Sequence, residues 1–221
     1  MIKHFIIGIF ALCLLMSISA FSGPTSQDSQ ERLVDQRIEL HMADATLMHV
    51  LSTLSVNHRV PIGFESSAAD QNEPKIVLES ANGSLKRILD SIVKQEPVYR
   101  WEVVDGVINF VPANDRDPFI EALLNTTVSN YDPGKWTVKF QLRDAIENAP
   151  EVKKLLALNK KTFAKYQDYV SYPSIYTKDV DLRISNTTVR GILNRIVRIS
   201  EHKSWSIGWT DKEKNALSIR L

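Results

Sequence analysis

The sequence has one cysteine, eight glycines and nine prolines among 221 residues, and its charges nearly cancel. A single cysteine excludes an internal disulfide and a zinc site built from several cysteines. The low glycine and proline content excludes a collagen-like or linker-dominated chain. With 27 Lys and Arg against 26 Asp and Glu, the chain lacks the basic excess of a domain that neutralises many phosphates. We therefore expect a globular protein with no nucleic-acid partner.

Long apolar runs are scarce as well, and the only one lies at the N terminus. Lys3 precedes an apolar run from Phe5 to Met16, and small residues follow at Ala20 and Ser22. This pattern is typical of a secretory signal peptide, because the run is shorter than the roughly 20 residues that a transmembrane helix needs. We predict a signal over residues 1–22, with an uncleaved anchor as the alternative. Its removal would take away the only cysteine and leave a neutral chain without a membrane span.

Three segments share a pattern that is typical of a helix start. In each, a hydroxyl residue (Thr46, Ser84 or Thr188) can cap the free amides of a helix whose apolar residues recur at helical spacing. The second and third segments also match at a constant shift of 104 residues, and the match extends beyond the helix. The identical pairs are Leu78, Asn82, Ile88, Leu89, Ile92, Val93 and Trp101 with Leu182, Asn186, Ile192, Leu193, Ile196, Val197 and Trp205. We infer a duplicated unit.

The segments around these helices are predicted to be strands. Ile38–Met42 alternates in polarity, and two β-rich runs flank Asp105-Gly106, a strong hairpin signal. The sequence thus predicts an α+β fold made of two tandem βαββαββ modules, each with two helices on a small mixed sheet. A polar leader (23–35) would precede the first module (36–112). A linker (113–118) would lead to the second (119–221).

The second module is expected to contain an insertion around residues 143–178. Before it, Trp136–Leu142 alternates as a strand does, whereas Leu142, Ala145 and Ile146 suit a helix that ends near Pro150. Both interpretations stay open. A short helix is predicted over Glu151–Leu158, and strands are predicted over 180–184, 204–209 and 216–221.

The order of these features resembles a known domain family. The helix start Asn82–Leu89 (NGSLKRIL) and the strand and hairpin Trp101–Ile108 (WEVVDGVI) carry the resemblance. They resemble the short N-terminal domain of secretins and TonB-dependent receptors, over residues 36–112 and, in diverged form, over 119–221. The resemblance implies a periplasmic module of a Gram-negative bacterium that contacts other proteins of a secretion or TonB-type system. No barrel or secretin domain follows in this sequence, so we do not expect a pore or a transporter.

Motifs that would indicate catalysis are missing. The four histidines beyond the signal, His41, His49, His58 and His202, lack the spacing of a metal site, and surface positions are expected for them. The sequence has no nucleophile elbow and no glycine-rich phosphate loop. We therefore predict a protein that is not an enzyme and that binds no metal or cofactor.

The best candidate for a partner-binding site is a cluster of aromatic residues. Four of the six tyrosines lie within the expected insertion, and tyrosine is enriched at protein interfaces. The alternative is that these rings cover the second module's own sheet. Our hypothesis is an exported, periplasmic interaction module, an accessory or adaptor of an envelope system, with a small-ligand or cell-wall-binding domain as the second possibility. The candidate residues are Tyr166, Tyr169, Tyr172, Tyr176 and Trp136.

Overall fold

The chain has an α+β fold in a computed structural model that describes residues 32–67, 75–134, 139–164, 182–200 and 203–221. None of the helices in these ranges is long and apolar enough to cross a bilayer. The elements, in chain order, are β1 (Arg37–Thr46), α1 (Leu47–Asn57), β2 (Ile62–Glu65), β3 (Lys75–Ser84), α2 (Leu85–Gln95), β4 (Tyr99–Val104), β5 (Val107–Pro112), α3 (Pro118–Asn125), β6 (Thr127–Tyr131), α4 (Lys139–Glu147), α5 (Pro150–Leu158), β7 (Thr162–Phe163), β8 (Ile184–Thr188), α6 (Val189–Ile199), β9 (Ser204–Trp209) and β10 (Ala216–Arg220).

Six strands form one mixed sheet in the order β4-β5-β2-β9-β10-β7. β4 and β5 form the hairpin that the sequence predicted, with positive φ angles of 52° at Asp105 and 71° at Gly106. β2 pairs in parallel with β5 on one side and with β9 on the other. We call residues 37–112 the N-terminal half, residues 118–220 the C-terminal half, and the β2·β9 pairing the seam. The seam joins both halves into a single sheet.

Two buried clusters cover opposite faces of this sheet. Phe64 of β2 belongs to the cluster that contains α1 and α2, whereas Trp205 and Ile207 of β9 belong to the cluster that contains α6. Phe64 lies beside Ser206, which stands between those two residues of β9, so the apolar faces of the two strands point in opposite directions. The strands β4, β5 and β2 of the N-terminal half therefore correspond in order to β9, β10 and β7 of the C-terminal half. Corresponding strands run in opposite directions, and the buried clusters cover opposite faces of the two sets. A half-turn about an axis that runs across the strands, combined with a shift along that axis, would produce this relation.

Two smaller antiparallel sheets, β1·β3 and β6·β8, repeat one local arrangement. In the N-terminal half, the amide of Leu85 donates to the carbonyl of Gln36 at 2.8 Å. In the C-terminal half, the amide of Val189 donates to the carbonyl of Thr126 at 3.0 Å. Leu85 and Val189 match at the shift of 104 residues found in the sequence, and Gln36 and Thr126 lie 90 residues apart. The helix after each pair of strands therefore begins in the same way.

Hydroxyl side chains cap two of the three helices for which a cap was predicted. Thr46 accepts a hydrogen bond from the amide of His49 at 3.2 Å, and Thr188 accepts one from the amide of Gly191 at 3.1 Å. Ser84 occupies the same position before α2 but makes no capping hydrogen bond with its side chain. Its predicted capping role is wrong, and the main-chain bond to Gln36 holds the start of α2 instead.

In the C-terminal half, the structure decides between two open interpretations and shows a strand at later residues than expected. Residues 139–147 form helix α4, so the helical interpretation holds there and the strand interpretation is wrong. The apolar spacing of Leu142 and Ile146 explains this, because both side chains are buried in the core. The strand predicted over 180–184 falls partly outside the described ranges, and the strand that the structure shows here is Ile184–Thr188, which pairs with β6. The helix predicted over Glu151–Leu158 is confirmed as α5.

A buried group of charges crosses the seam. Glu65, at the end of β2, has a relative exposure of 1%. Its carboxylate accepts two hydrogen bonds from Arg116, at 2.8 and 2.7 Å, and a third from Arg190 of α6. Arg190 also donates to the side-chain oxygen of Asn109 at 3.1 Å. A buried carboxylate needs such partners, so the end of β2 is tied to a helix of the other half.

The segment predicted as a linker is anchored to both halves. Arg116 binds Glu65 in the N-terminal half, as described above. The next residue, Asp117, caps α3 through the amides of Phe119 and Ile120. Its second oxygen accepts hydrogen bonds from Trp209 and Lys214, both at 2.9 Å. Burial alone would raise the pKa of Asp117, but these hydrogen bonds hold it below its usual value.

Candidate functional site

A groove of about 400 Å³ lies beside the seam and is lined by both halves. The N-terminal half contributes the start of α1, the end of β2 and the C-terminal end of α2. The C-terminal half contributes the face of β9 and β10 that α6 does not cover. The lining residues are Thr46, Leu47, Met48, Phe64, Ser66, Glu96, Ser206, Ile207, Gly208, Trp209, Thr210, Ser218 and Arg220.

Small side chains form the floor of this groove. On β9 and β10 the apolar residues alternate with small ones, and the apolar set packs against α6. Ser206, Gly208 and Ser218 therefore lie on the opposite face, where they line the groove. A Cβ atom at Gly208 would lie 2.8 Å from the Cβ atom of Ser66, so glycine permits the close approach of these two segments of the chain. The amide of Ser66 donates to the carbonyl of Ile207 at 2.9 Å.

The walls combine apolar surface with two charged side chains. Phe64 is buried on one side, and Met48 keeps 41% of its surface exposed on the other. Glu96, at the end of α2, is 4% exposed, whereas Arg220 of β10 is largely exposed. The groove can therefore contact apolar side chains of a ligand, and Arg220 offers a positive charge.

Trp209 lies at the groove in a fixed position. Its indole nitrogen donates to Asp117 at 2.9 Å, and its ring centroid lies 5.6 Å from that of Phe119. The ammonium group of Lys161 lies 5.3 Å from the Trp209 ring centroid, within cation–π range. These contacts hold the Trp209 ring against the C-terminal core without help from a ligand, and they fix the end of β9 beside the groove.

The aromatic residues predicted to bind a partner lie outside the described ranges: Tyr166, Tyr169, Tyr172, Tyr176 and Trp136. The structure instead brings together groove residues that sequence reasoning did not select. The alternation of Ser204, Ser206 and Gly208 with apolar residues was the available signal, since it predicts a strand with one face free of bulk. That signal does not reveal which neighbouring strand completes the groove.

Two of the histidines lie near each other on the surface. His41 and His49 line a shallow depression together with Asp44, and His41 Nε2 lies 3.4 Å from a carboxylate oxygen of Glu39. His202 is outside the described ranges. Across the part of the chain that the structure describes, no three His, Cys, Asp or Glu side chains are placed to hold a metal ion.

No protein-family model matches the chain, and neither a curated protein nor a solved structure is significantly similar to it.

Proposed function

We propose that this chain is an exported, non-catalytic interaction module of the Gram-negative periplasm, an accessory or adaptor of a secretion or TonB-type envelope system. The groove at the seam is the observation that carries this proposal, because it is where both halves present surface to a ligand. The N-terminal sequence pattern supports export. The resemblance of residues 36–112 to the short N-terminal domain of secretins and TonB-dependent receptors supports the envelope context.

The element order is consistent with two copies of one module. Residues 37–112 have the order β-α-β-β-α-β-β, and both halves share the strand order and the helix start described above. In this proposal the copies differ from free-standing domains, since they pair through β2 and β9 and act as one body. The groove exists only because the copies are joined.

An extended polypeptide segment of a partner protein is the proposed occupant. The floor includes the small residues Ser206, Gly208 and Ser218 on one sheet face, so no bulky side chain of β9 or β10 fills it. The start of α1 supplies the exposed side chain of Met48 for apolar contacts, and Arg220 of β10 supplies a charged contact. Side-chain pockets beside a sheet are a common means of recognising extended peptides.

A small-ligand or cell-wall-binding function is the second candidate. Its support is the size of the groove, because about 400 Å³ falls within the usual range of small-molecule sites. The position between the halves also fits, since ligand sites often lie where structural units meet.

Site-specific photo-crosslinking in periplasm tests the proposal. A photoreactive phenylalanine derivative replaces Ser218 on the groove floor, and a matched variant carries it at Val56, an exposed position of α1 away from the groove. We expect the Ser218 variant to crosslink to one envelope polypeptide, at one segment identified by mass spectrometry. The Val56 variant should not crosslink to that segment.

Two further results decide between the candidates. Met48→Gln should reduce crosslinking from position 218, whereas Val56→Gln should not, because Met48 lines the groove and Val56 does not. Crosslinks to no protein, together with binding of soluble cell-wall fragments that Met48→Gln weakens, would favour the ligand-binding alternative. A triple change of Tyr166, Tyr169 and Tyr172 to Ala that abolishes capture, with the groove variants unaffected, would shift the site to the tyrosine cluster.

A further inference from the structure

A second cleft, of about 320 Å³, carries a concentration of positive charge. It lies between the turn of the β4–β5 hairpin, β8 with the residue before it, and α6. Three of its seven lining residues are arginines, and one is an acid. The lining residues are Asp105, Arg183, Ile184, Thr187, Gly191, Arg195 and Arg198. The cleft therefore has a formal charge of +2 in a chain whose total charge is +1.

Arg198 is held in place by a partner that does not neutralise it. Its guanidinium donates to the main-chain carbonyl of Asp105 at 3.2 Å. Arg195 lies one helical turn earlier on the same helix and is exposed. Neither arginine forms an ion pair with any acid in the described ranges. The charge of both side chains is thus available to an anion in the cleft.

The positive surface continues beyond the cleft. The ammonium group of Lys203 donates to the carbonyl of Arg198 at 2.8 Å. Burial lowers the pKa of Lys203, and the positive charge of nearby Arg59 lowers it further. Lys203 and Arg59 therefore add two positive charges close to each other, and Lys203 contacts the main chain of Arg198.

The arginines are not a requirement of the helix design that both halves share. The residues that match Arg183, Arg195 and Arg198 at the shift of 104 are Glu79, Ser91 and Lys94. Two of the three matched positions thus carry no positive charge, although α2 and α6 begin alike and pack alike on their strands. The cationic set is specific to the C-terminal half.

The inner wall of the cleft adds a hydroxyl group. Thr187 lines it, and a Cβ atom at Gly191 would lie 2.6 Å from the Thr187 hydroxyl oxygen. Glycine at position 191 therefore leaves room for this side chain beside the arginines. Guanidinium groups match phosphate oxygens in geometry, and a hydroxyl group can donate one further hydrogen bond.

We propose that this cleft binds a phosphate group through Arg195 and Arg198. The group belongs either to a soluble phosphate compound or to the headgroup of an anionic lipid, since both present the same oxygens. The site is separate from the groove at the seam, so it can exist whether or not the groove binds a partner.

Titration of the full mature chain with inorganic phosphate at constant ionic strength tests this proposal. Amide resonances of Asp105, Gly106 and Gly191 should shift saturably in nuclear magnetic resonance spectra, and chloride should not cause the same shifts. Arg195→Gln/Arg198→Gln should weaken binding at least about tenfold, because it removes two charge-assisted hydrogen-bond donors. Arg87→Gln/Lys94→Gln removes two exposed cations of α2 and is the matched control, expected to change the affinity less than twofold.

Two more probes identify the source of the phosphate group. Glycerol 3-phosphate represents a soluble compound, and phosphatidylcholine vesicles with and without phosphatidylglycerol represent the membrane. Binding of either probe that the Arg195/Arg198 variant loses and the control keeps supports the site and names the source. Resonance shifts that rise linearly with every anion would overturn the proposed phosphate site. An equal loss of binding in the Arg195/Arg198 variant and in the control would overturn it as well. Matching thermal unfolding of both variants would exclude a folding defect as the cause.

Discussion

Gly63 of β2 matters because it has no side chain. A Cβ atom at this position would overlap the ring of Trp205 and lie 2.8 Å from the side-chain oxygen of Asn109. The Trp205 ring thus packs directly against the main chain of β2 at the seam. Neither hydrophobic periodicity nor turn propensity predicts this, because the contact depends on a strand from the other half.

Substitution of this glycine tests the contact. We expect Gly63→Ala to lower the free energy of unfolding by about 1–3 kcal/mol, because the added methyl group must displace a buried ring or the strand itself. Gly83→Ala is the matched control, since a Cβ atom there would lie 3.7 Å from the nearest side-chain atom. Urea denaturation measures both. Equal stability of the two variants would show that the seam can relax around a methyl group.

At the scale of secondary-structure elements, α2 and α6 show how one helix design serves two purposes. In α2, Asp90 accepts a hydrogen bond from the indole of Trp101 at 3.0 Å and pairs with Lys86 at 2.8 Å. In α6, Asn194 accepts one from the indole of Trp205 at 2.8 Å. The asparagine also donates to the carbonyl of Val104 in the other half at 3.1 Å, which a carboxylate cannot do. The change from acid to amide therefore allows the bond across the seam.

Exchange of the two side chains should give unequal results. Asn194→Asp places a charge at a fully buried site and removes the donor to Val104, so we expect a loss of about 3 kcal/mol. Asp90→Asn keeps the acceptor for Trp101 and breaks only an exposed ion pair, so we expect a loss below about 1 kcal/mol. Thermal and urea unfolding would measure both changes. A larger loss for Asp90→Asn would contradict this account.

Most elements could be predicted from the sequence because their signals are local. The apolar spacing of α2 and α6, the alternation of β9 and the Asp105-Gly106 turn each lie within about ten residues of chain. Residues 139–147 were ambiguous, since periods of 2 and 3.6 overlap over so short a run. Packing of Leu142 and Ile146 decides for the helix.

The seam and the groove could not be predicted in the same way. In the sequence, Glu65 is a polar residue after a short apolar strand, which predicts an exposed position. In the structure it is buried, with hydrogen bonds to Arg116 and Arg190. The groove residues Ser206 and Ser218 have no chemical motif, and their meaning depends on which strands become neighbours. Such pairing is decided by contacts between residues far apart in the chain, which periodicity does not encode.

For the molecule as a whole, the stability should depend on pH through Glu147 at the end of α4. Burial is the main cause that raises the pKa of Glu147 to about 7; the charge of Asp144 acts in the same direction, and Arg143 opposes both. The folded state thus keeps a proton that the unfolded state loses near its ordinary pKa of 4.5. This group's contribution to stability is therefore greatest below pH 4.5 and declines as the pH rises to about 7.

Glu147→Gln should reduce that decline. We expect the free energy of unfolding to fall less between pH 5 and pH 8 in this variant than in the parent chain. Glu151→Gln is the control, because hydrogen bonding to Ser129 lowers the pKa of Glu151 below this window. Urea denaturation across the pH range measures the slopes. A slope that Glu147→Gln leaves unchanged would mean that this carboxyl group does not control the dependence.

The pairing of β2 with β9 also sets an order in time. β2 finds its partner β5 within the N-terminal half, but Arg190 stands 125 residues beyond Glu65 in the chain. As the chain is synthesised from its N terminus, the N-terminal half is complete while one edge of β2 still has no neighbour. A chaperone that masks this edge would protect the nascent chain until β9 arrives.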